Sequence, residues 1–387
     1  MNPSRPIQTL FACLLVLVFV PTAIAQQSKK FSGIETAPQR EEKSVEYWVD
    51  QLGHDHYLRR EKATEKLLDA GSVAIDPLVD AIRKGDLEVI ERSTEILTSI
   101  ALSRPPNNDG GAWESLQRLA EQTAGLRSSS ARNALEEIRQ HRSQQSHQAL
   151  ADAGITVGFD EFAIGAAISR PLMVVQIDDN WEGDVDALQW LRWLSGVQHA
   201  RIAGPALQPE VIEAISQMPE LETLALVEGK ISHDALIPLT KMKRMDTVEF
   251  RYIPLSEKHA KWIAKIPMRS SLSLMGTGLK DDTVEQLKQD LTGLKIEFRQ
   301  GGFMGVMCND IPSECKITGI VPGGAAEQAG LIPEDVIVGI DDTEVNKFRD
   351  LQNAINQRLP GDEVTVEYRR GGTLRTIKLR LKRLEEK

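Results

Sequence analysis

The sequence predicts a multidomain protein made of an α-helical repeat region, an α/β solenoid and a mainly-β C-terminal domain, behind an N-terminal signal segment that is cleaved off. Three observations carry this expectation. Apolar residues recur at helical spacing from Ser44 to about His141, matched positions recur every 24 residues between 172 and 299, and short strand-like runs follow Gly301-Gly302. At 387 residues, with 41% hydrophobic but only 5% aromatic side chains, the chain has aliphatic material for several cores. Its formal charge of −10 opposes nucleic acid and anionic lipid as partners, because an acidic field repels both.

Residues 1–25 combine a cation at Arg5, an apolar run from Leu10 to Val20 and the small-residue signal Ala23-Ile24-Ala25 before Gln26. This pattern predicts a secretory signal peptide and an exported protein, periplasmic or extracellular. The apolar run is about half of the roughly 20 residues a span needs, so no membrane span is expected after cleavage. Residues 26–43 are polar and aperiodic and read as a flexible leader. Cleavage removes Cys13 and leaves Cys308 and Cys315, separated by six residues. In an oxidising compartment these predict a hairpin disulfide worth roughly 2 to 3 kcal/mol by loop entropy, with two unpaired thiols as the alternative. Their spacing fits no standard zinc motif, so no metal is expected.

Over residues 44–143, Ala63, Leu67, Ala70 and then Leu78, Ala81, Ile82 mark paired short helices, with breaks at Gly71, Gly85 and the run from Pro105 to Gly111. A shift of 30 residues superposes Ala63 on Ser93, Leu67 on Leu97 and Ala70 on Ile100. With Arg59, Arg60, Gly71, Ala74 and Pro77, and a looser copy at Ala131, Ala134 and Ile138, the segment resembles HEAT repeats. That resemblance implies a small curved solenoid offering a surface rather than a reaction.

Residues 172–299 hold the sharpest regularity. Leu207, Ile231, Leu255 and Leu279 follow one another in steps of 24, as do Ala200/Ile202, Leu224/Leu226, Val248/Phe250, Leu272/Leu274 and Ile296/Phe298. Each unit reads as a strand followed by a short helix that must stack on its neighbours. The run LETLALVEGKI, Leu221 to Ile231, resembles the leucine-rich-repeat pattern. Pro205, Gly229, Ile253 and Thr277 stand where such repeats often carry Asn or Cys, so the usual ladder of buried side-chain hydrogen bonds is not expected. Arg201, Glu249, Arg251, Glu297 and Arg299 would point outward, either as a charged face that holds a partner or as the solvated side of a sheet. Residues 142–170, rich in Gln, Ser, Ala and Gly, would connect the two repeat regions.

Residues 301–385 carry strand-like runs at Ile317–Val321, Val336–Ile340, Val364–Tyr368 and Thr376–Leu381, and one amphipathic helix over about Lys347–Arg358. The run VPGGAAEQAGLIPEDVI, Val321 to Ile337, resembles the core motif of the bacterial PDZ domains that accompany envelope proteases. The resemblance implies a carboxylate-binding loop at Phe303-Met304-Gly305-Val306, whose converging N–H groups hold a chain terminus without a fixed cation. A peptide would add as a strand beside Val306, Met307 and Cys308. Its last side chain would enter a pocket of Met304, Val306, Leu351 and Ile355, bordered by Phe348 and Ala354, favouring a medium-sized apolar residue. Alternatively Val306, Leu351 and Ile355 merely fill a core.

No catalytic residue and no cofactor is expected, for the sequence holds no G-x-S-x-G elbow, H-E-x-x-H or P-loop. His54-Asp55-His56 lacks further ligands for a metal, and Asp178-Asp179 and Asp341-Asp342 read as turns. The sequence thus predicts an exported, non-catalytic scaffold that binds polypeptide C-termini. The alternative is a regulatory or substrate-recognition subunit of a separate envelope protease.

Overall fold

The computed structural model describes residues 43–103, 105, 106, 108–162, 171–309 and 314–384. The expected signal peptide and nearly all of the leader lie outside these residues.

The N-terminal region is helical: α1 (Val45–Asp50), α2 (Tyr57–Ala70), α3 (Ile75–Lys84), α4 (Leu87–Ser103), α5 (Ala112–Gln122) and α6 (Leu126–Asp152). Its core takes Ala63, Leu67, Leu78, Ile82, Leu97 and Ile100, and Ser93 is buried as deeply as the Ala63 it matches. Helix α6 corrects the connector expected from Arg142. It runs on to Asp152 and is followed by strand β1 (Thr156–Glu161). The helix was hidden because its inward stripe is small or polar: Ser128, Ala131, Ala134, Ile138, Arg142, Ser146 and Leu150. Buried Arg142 donates to Ala101 O at 2.7 Å and to Gln145 Oε1 at 3.1 Å, which lets a cation occupy an apolar position.

A seven-stranded mixed sheet follows in sequence order. Strand β1 lies antiparallel to β2 (Pro171–Ile177), and the remaining neighbours are parallel. These are β3 (His199–Ala203), β4 (Thr223–Val227), β5 (Met245–Arg251), β6 (Met268–Met275) and β7 (Lys295–Arg299). Ala200, Leu224, Val248, Leu272 and Ile296 stand in one cross-strand register, so positions 24 residues apart face one another. Helices α7 (Pro209–Ile215), α8 (Glu257–Ile263) and α9 (Asp281–Asp290), with 3-10 turns between them, cover this apolar face through Val211, Ile215, Ile263 and Leu287.

The opposite face is not the open charged surface that the outward positions suggest. Glu249 and Arg251 are both 0% exposed and pair at 2.9 Å, and Ser273 Oγ donates to Glu249 Oε1 at 3.3 Å. Arg201 is buried too, reaching Asp160 at 3.4 Å with its guanidinium over the Phe162 ring. Phe162 packs with Val174, Ala225 and Val227 as a second small core on this face. Sequence alternation identifies the side of a sheet but not what covers it.

The C-terminal region forms an antiparallel sheet in the order β13-β12-β10-β9-β8, with β11 on β10. Its elements are β8 (Val306–Cys308), β9 (Cys315–Ile320), α10 (Ala325–Ala329), β10 (Val336–Ile340), β11 (Thr343–Glu344), α11 (Phe348–Asn356), β12 (Glu363–Arg370) and β13 (Thr373–Arg380). Buried Asp335 accepts the Ile332 N–H at 3.0 Å and receives a fork from Arg370, both bonds 2.7 Å, tying the turn before β10 to β12. Burial opposes the charge of this carboxylate, but the bonds from Arg370 and Ile332 prevail and hold its pKa below the ordinary value.

The two sheets are joined tightly. The Tyr252 hydroxyl donates to Gly301 O at 2.8 Å and accepts the Leu384 N–H at 2.8 Å, with Arg383 stacked on its ring. Gly276 N donates to Arg299 O at 2.9 Å. A Cβ on Gly301 would lie 3.0 Å from the Gly276 Cα, so the chain passes this turn only as glycine. Among the described residues no helix is long and apolar enough to cross a membrane.

Candidate functional site

Strand β8 is the edge of its sheet, paired with β9 on one side only. Helix α11 runs beside it, and between them lies a groove lined by Phe303, Met304, Gly305, Val306, Phe348, Leu351 and Ile355. The structure therefore brings together most of the residues the sequence singled out. Met307 and Ala354 lie outside this lining, Met307 exposed on the edge strand and Ala354 packed against the domain core. Met304 and Leu351 also belong to that core, so the groove floor and the core are one surface.

The loop before β8 is shaped for donors. Gly305 has φ +83°, a left-handed conformation that favours glycine, and a Cβ there would meet Gly324 Cα at 3.3 Å and Val321 Cβ at 3.4 Å. Among the described residues no backbone acceptor takes the N–H of Met304 or Gly305. The carbonyls of the same two residues are engaged, by Ala326 N at 2.8 Å and Val321 N at 2.9 Å. A bridge between Phe303 and Lys382 anchors the other end of the loop. The Val321–Ala326 motif thus holds the loop by its carbonyls and leaves the Met304 and Gly305 N–H groups without a backbone acceptor among the described residues.

Sequence reasoning missed Met275, Arg299, Gly302, Gln352 and Asn356, which complete the lining. Arg299 is a cation in the groove lining, paired with Glu297 at 3.2 Å. Its position just before the glycine pair was visible in the sequence, but its assignment to the outward face of a repeat strand concealed this second neighbourhood.

The Sγ atoms of Cys308 and Cys315 lie 3.5 Å apart across β8 and β9. The Cys315 thiol donates to Cys308, so the Cys308 pKa falls, while the same bond together with burial pushes Cys315 well up. Cys308 is the sulfur that ionises first. Among the described residues no group of three or more His, Cys, Asp or Glu side chains is placed to hold a metal. His54 uses Nδ1 to accept the His56 N–H at 3.0 Å and Nε2 to contact Arg59 at 2.9 Å. A larger cavity of about 350 Å³ lies at Trp113, Arg142, Arg192 and Trp193, and its lining among the described residues includes no strand residue.

An edge strand, an adjacent amphipathic helix and a donor loop at the groove's end define a domain of the peptide-binding kind. The family model described as PDZ domain matches residues 302–381, and the C-terminal domain is a PDZ domain. It is similar to those of envelope proteases. The "Probable periplasmic serine endoprotease DegP-like" of Chlamydia muridarum (strain MoPn / Nigg) is 39% identical over 83 residues, 18% of this chain and 17% of that protein. "Serine protease Do-like HtrA" of Bacillus subtilis (strain 168) is 33% identical over 89 residues, 23% of this chain and 20% of that protein. The chain therefore matches only about a fifth of the length of these relatives. Among solved structures, the "HtrA3 PDZ Domain Bound to a Phage-Derived Ligand (FGRWV)" is 18% identical, covering 21% of this chain and 85% of that one at a TM-score of 0.19. "HtrA-type protease AlgW with decapeptide" is 20% identical, covering 28% and 36% at a TM-score of 0.23.

Proposed function

We propose that this chain is an exported, non-catalytic interaction protein whose PDZ groove captures polypeptide C-termini by β-strand addition. The observation that carries the reading is the unpaired edge of β8 ending in a loop whose Met304 and Gly305 N–H groups lack a backbone acceptor among the described residues. A peptide laid along β8 supplies the missing strand, and its terminal carboxylate meets those donors with Arg299 nearby. Met304, Val306, Leu351 and Ile355 receive the last side chain, bordered by Phe348 and Ala354, while Met307 lies along the added strand. The helical region acts as a HEAT-like frame and the mixed sheet as a leucine-rich-repeat-like one, the latter supported by the 24-residue register. Cleavage of residues 1–25 delivers the chain to a compartment where Cys308 and Cys315 join as a disulfide. Loss of about 2 Da on intact-mass analysis without reductant checks that bond.

The second reading, a recognition subunit for a separate envelope protease, is favoured by the named relatives, a probable periplasmic serine endoprotease and a serine protease. Both readings are tested first by titrating the full chain with free-carboxylate peptides and their amidated copies. Capture of chain ends requires at least about tenfold loss on amidation, since a charge-assisted bond to the carboxylate is removed. Gly305→Ala, strained at φ +83°, should lose binding similarly while its circular dichroism stays unchanged. Equal affinity for amidated peptides would sink the proposal.

A further inference from the structure

Met275 is out of place by the logic of its own strand. Along β6, Leu272 and Leu274 enter the apolar core, whereas Ser271, Ser273 and Met275 alternate onto the polar face. On that face Met275 stands in register between Arg251 and Arg299, and the next pairs along the sheet are Glu249, Ser273 and Glu297. A large apolar side chain at the end of a polar ladder needs apolar cover from elsewhere, and Met275 is only 1% exposed. It belongs to none of the sheet's own hydrophobic clusters. What it does share is the PDZ groove, where it lines the same cavity as Phe303, Met304 and Ile355.

The position is held firmly. Only Gln300 and Gly301 separate Arg299 at the end of β7 from Gly302 in the groove lining. Gln300 N donates to Asn356 O at 2.7 Å and Gly302 N to Arg358 O at 2.8 Å, so this short link is bonded to the end of α11. Tyr252 fastens the same link to β5 through Gly301. The mixed sheet and the groove therefore cannot drift apart without breaking several hydrogen bonds.

We infer that the terminal-residue pocket is built by two domains, with Met275 of the mixed sheet forming its end wall and limiting the size of the last side chain accepted. This rests on the proposed capture of C-termini and adds a specificity-determining residue from outside the PDZ domain. The cavity is small, about 70 Å³, so truncating one wall changes it by a large fraction. A thioether wall also tolerates a snug apolar neighbour without leaving a polar group unpaired.

The test uses the full chain and one peptide sequence ending in Val, Leu or Phe with a free carboxylate, each with an amidated copy, read by fluorescence anisotropy. Wild type should favour Val over Phe. Met275→Ala should shift the Val-to-Phe affinity ratio toward Phe by about five- to tenfold, the scale expected for one or two more buried methylene equivalents. Met275→Leu, which keeps the volume, should retain the wild-type order and guards against a misfolded Ala variant. If Met275→Ala binds in an amidation-sensitive manner with an unchanged ratio, the end wall is overturned while terminal capture stands. If wild type binds no peptide, or binds amidated copies equally well, capture itself falls and the end wall with it.

Discussion

On the polar face of the mixed sheet, Glu249 and Arg251 are fully buried and pair at 2.9 Å, whereas at the edge of the C-terminal sheet two backbone N–H groups have no backbone acceptor among the described residues. Both regions were candidate binding surfaces in the sequence. Charge therefore marks a partner site less well than backbone donors without an acceptor do. The charged face spends its groups on internal pairs, and burying an ion pair commits both partners to each other because each is costly to leave alone. The PDZ loop keeps the carbonyls of Met304 and Gly305 bonded while their N–H groups have no backbone acceptor among the described residues, which fits them for an anion.

The largest effect is expected at Arg251. Arg251→Ala should cost about 3 to 5 kcal/mol in urea denaturation, because the Glu249 carboxylate is left buried without its cation. A loss below about 1 kcal/mol is the value for an exposed pair, and would mean that the face is hydrated and open to partners after all. A middle-sized effect is expected at Asp335, within the C-terminal sheet. Asp335→Asn should cost about 2 kcal/mol at neutral pH by weakening the fork from Arg370.

That effect carries a pH signature. A carboxylate whose folded pKa is depressed contributes fully above its unfolded value, near 3.9, and loses the contribution as pH falls through the lower folded value. Denaturation of wild type and Asp335→Asn at neutral pH and at about pH 2 should therefore show two stabilities that converge in acid; a constant gap would assign the cost to packing instead. The smallest effect belongs to the joint between the two regions. Tyr252→Phe removes the hydroxyl shared by Gly301 O and the Leu384 N–H and should cost about 1 kcal/mol, visible as a lower denaturation midpoint.

Much of the PDZ domain was legible. Helix α10 ends before Gly330, β10 spans Val336–Ile340 as its apolar run suggested, and α11 presents Phe348, Leu351 and Ile355 on one side. These features are local, set by a period or a turn residue within a few positions. The 24-residue step likewise gave the strand register, since equal repeats must align when they stack. Helix α6 past Arg142 was not legible, because a buried Arg and a buried Ser interrupt its apolar stripe. Nor was β1, whose exposed Phe159 disguises its pattern.

The succession of periods, the glycine at position 305 that the donor loop requires, and the edge strand beside it could be read from the chain alone, because these depend on residues close together in it. That Glu249 and Arg251 are covered, that the Val321–Ala326 motif braces the loop, and that Met275 and Arg299 reach the groove emerges only when the domains pack. Those facts depend on which surfaces meet across the Tyr252 and Gly301 junction, and sequence spacing does not carry the distance between surfaces brought together by packing.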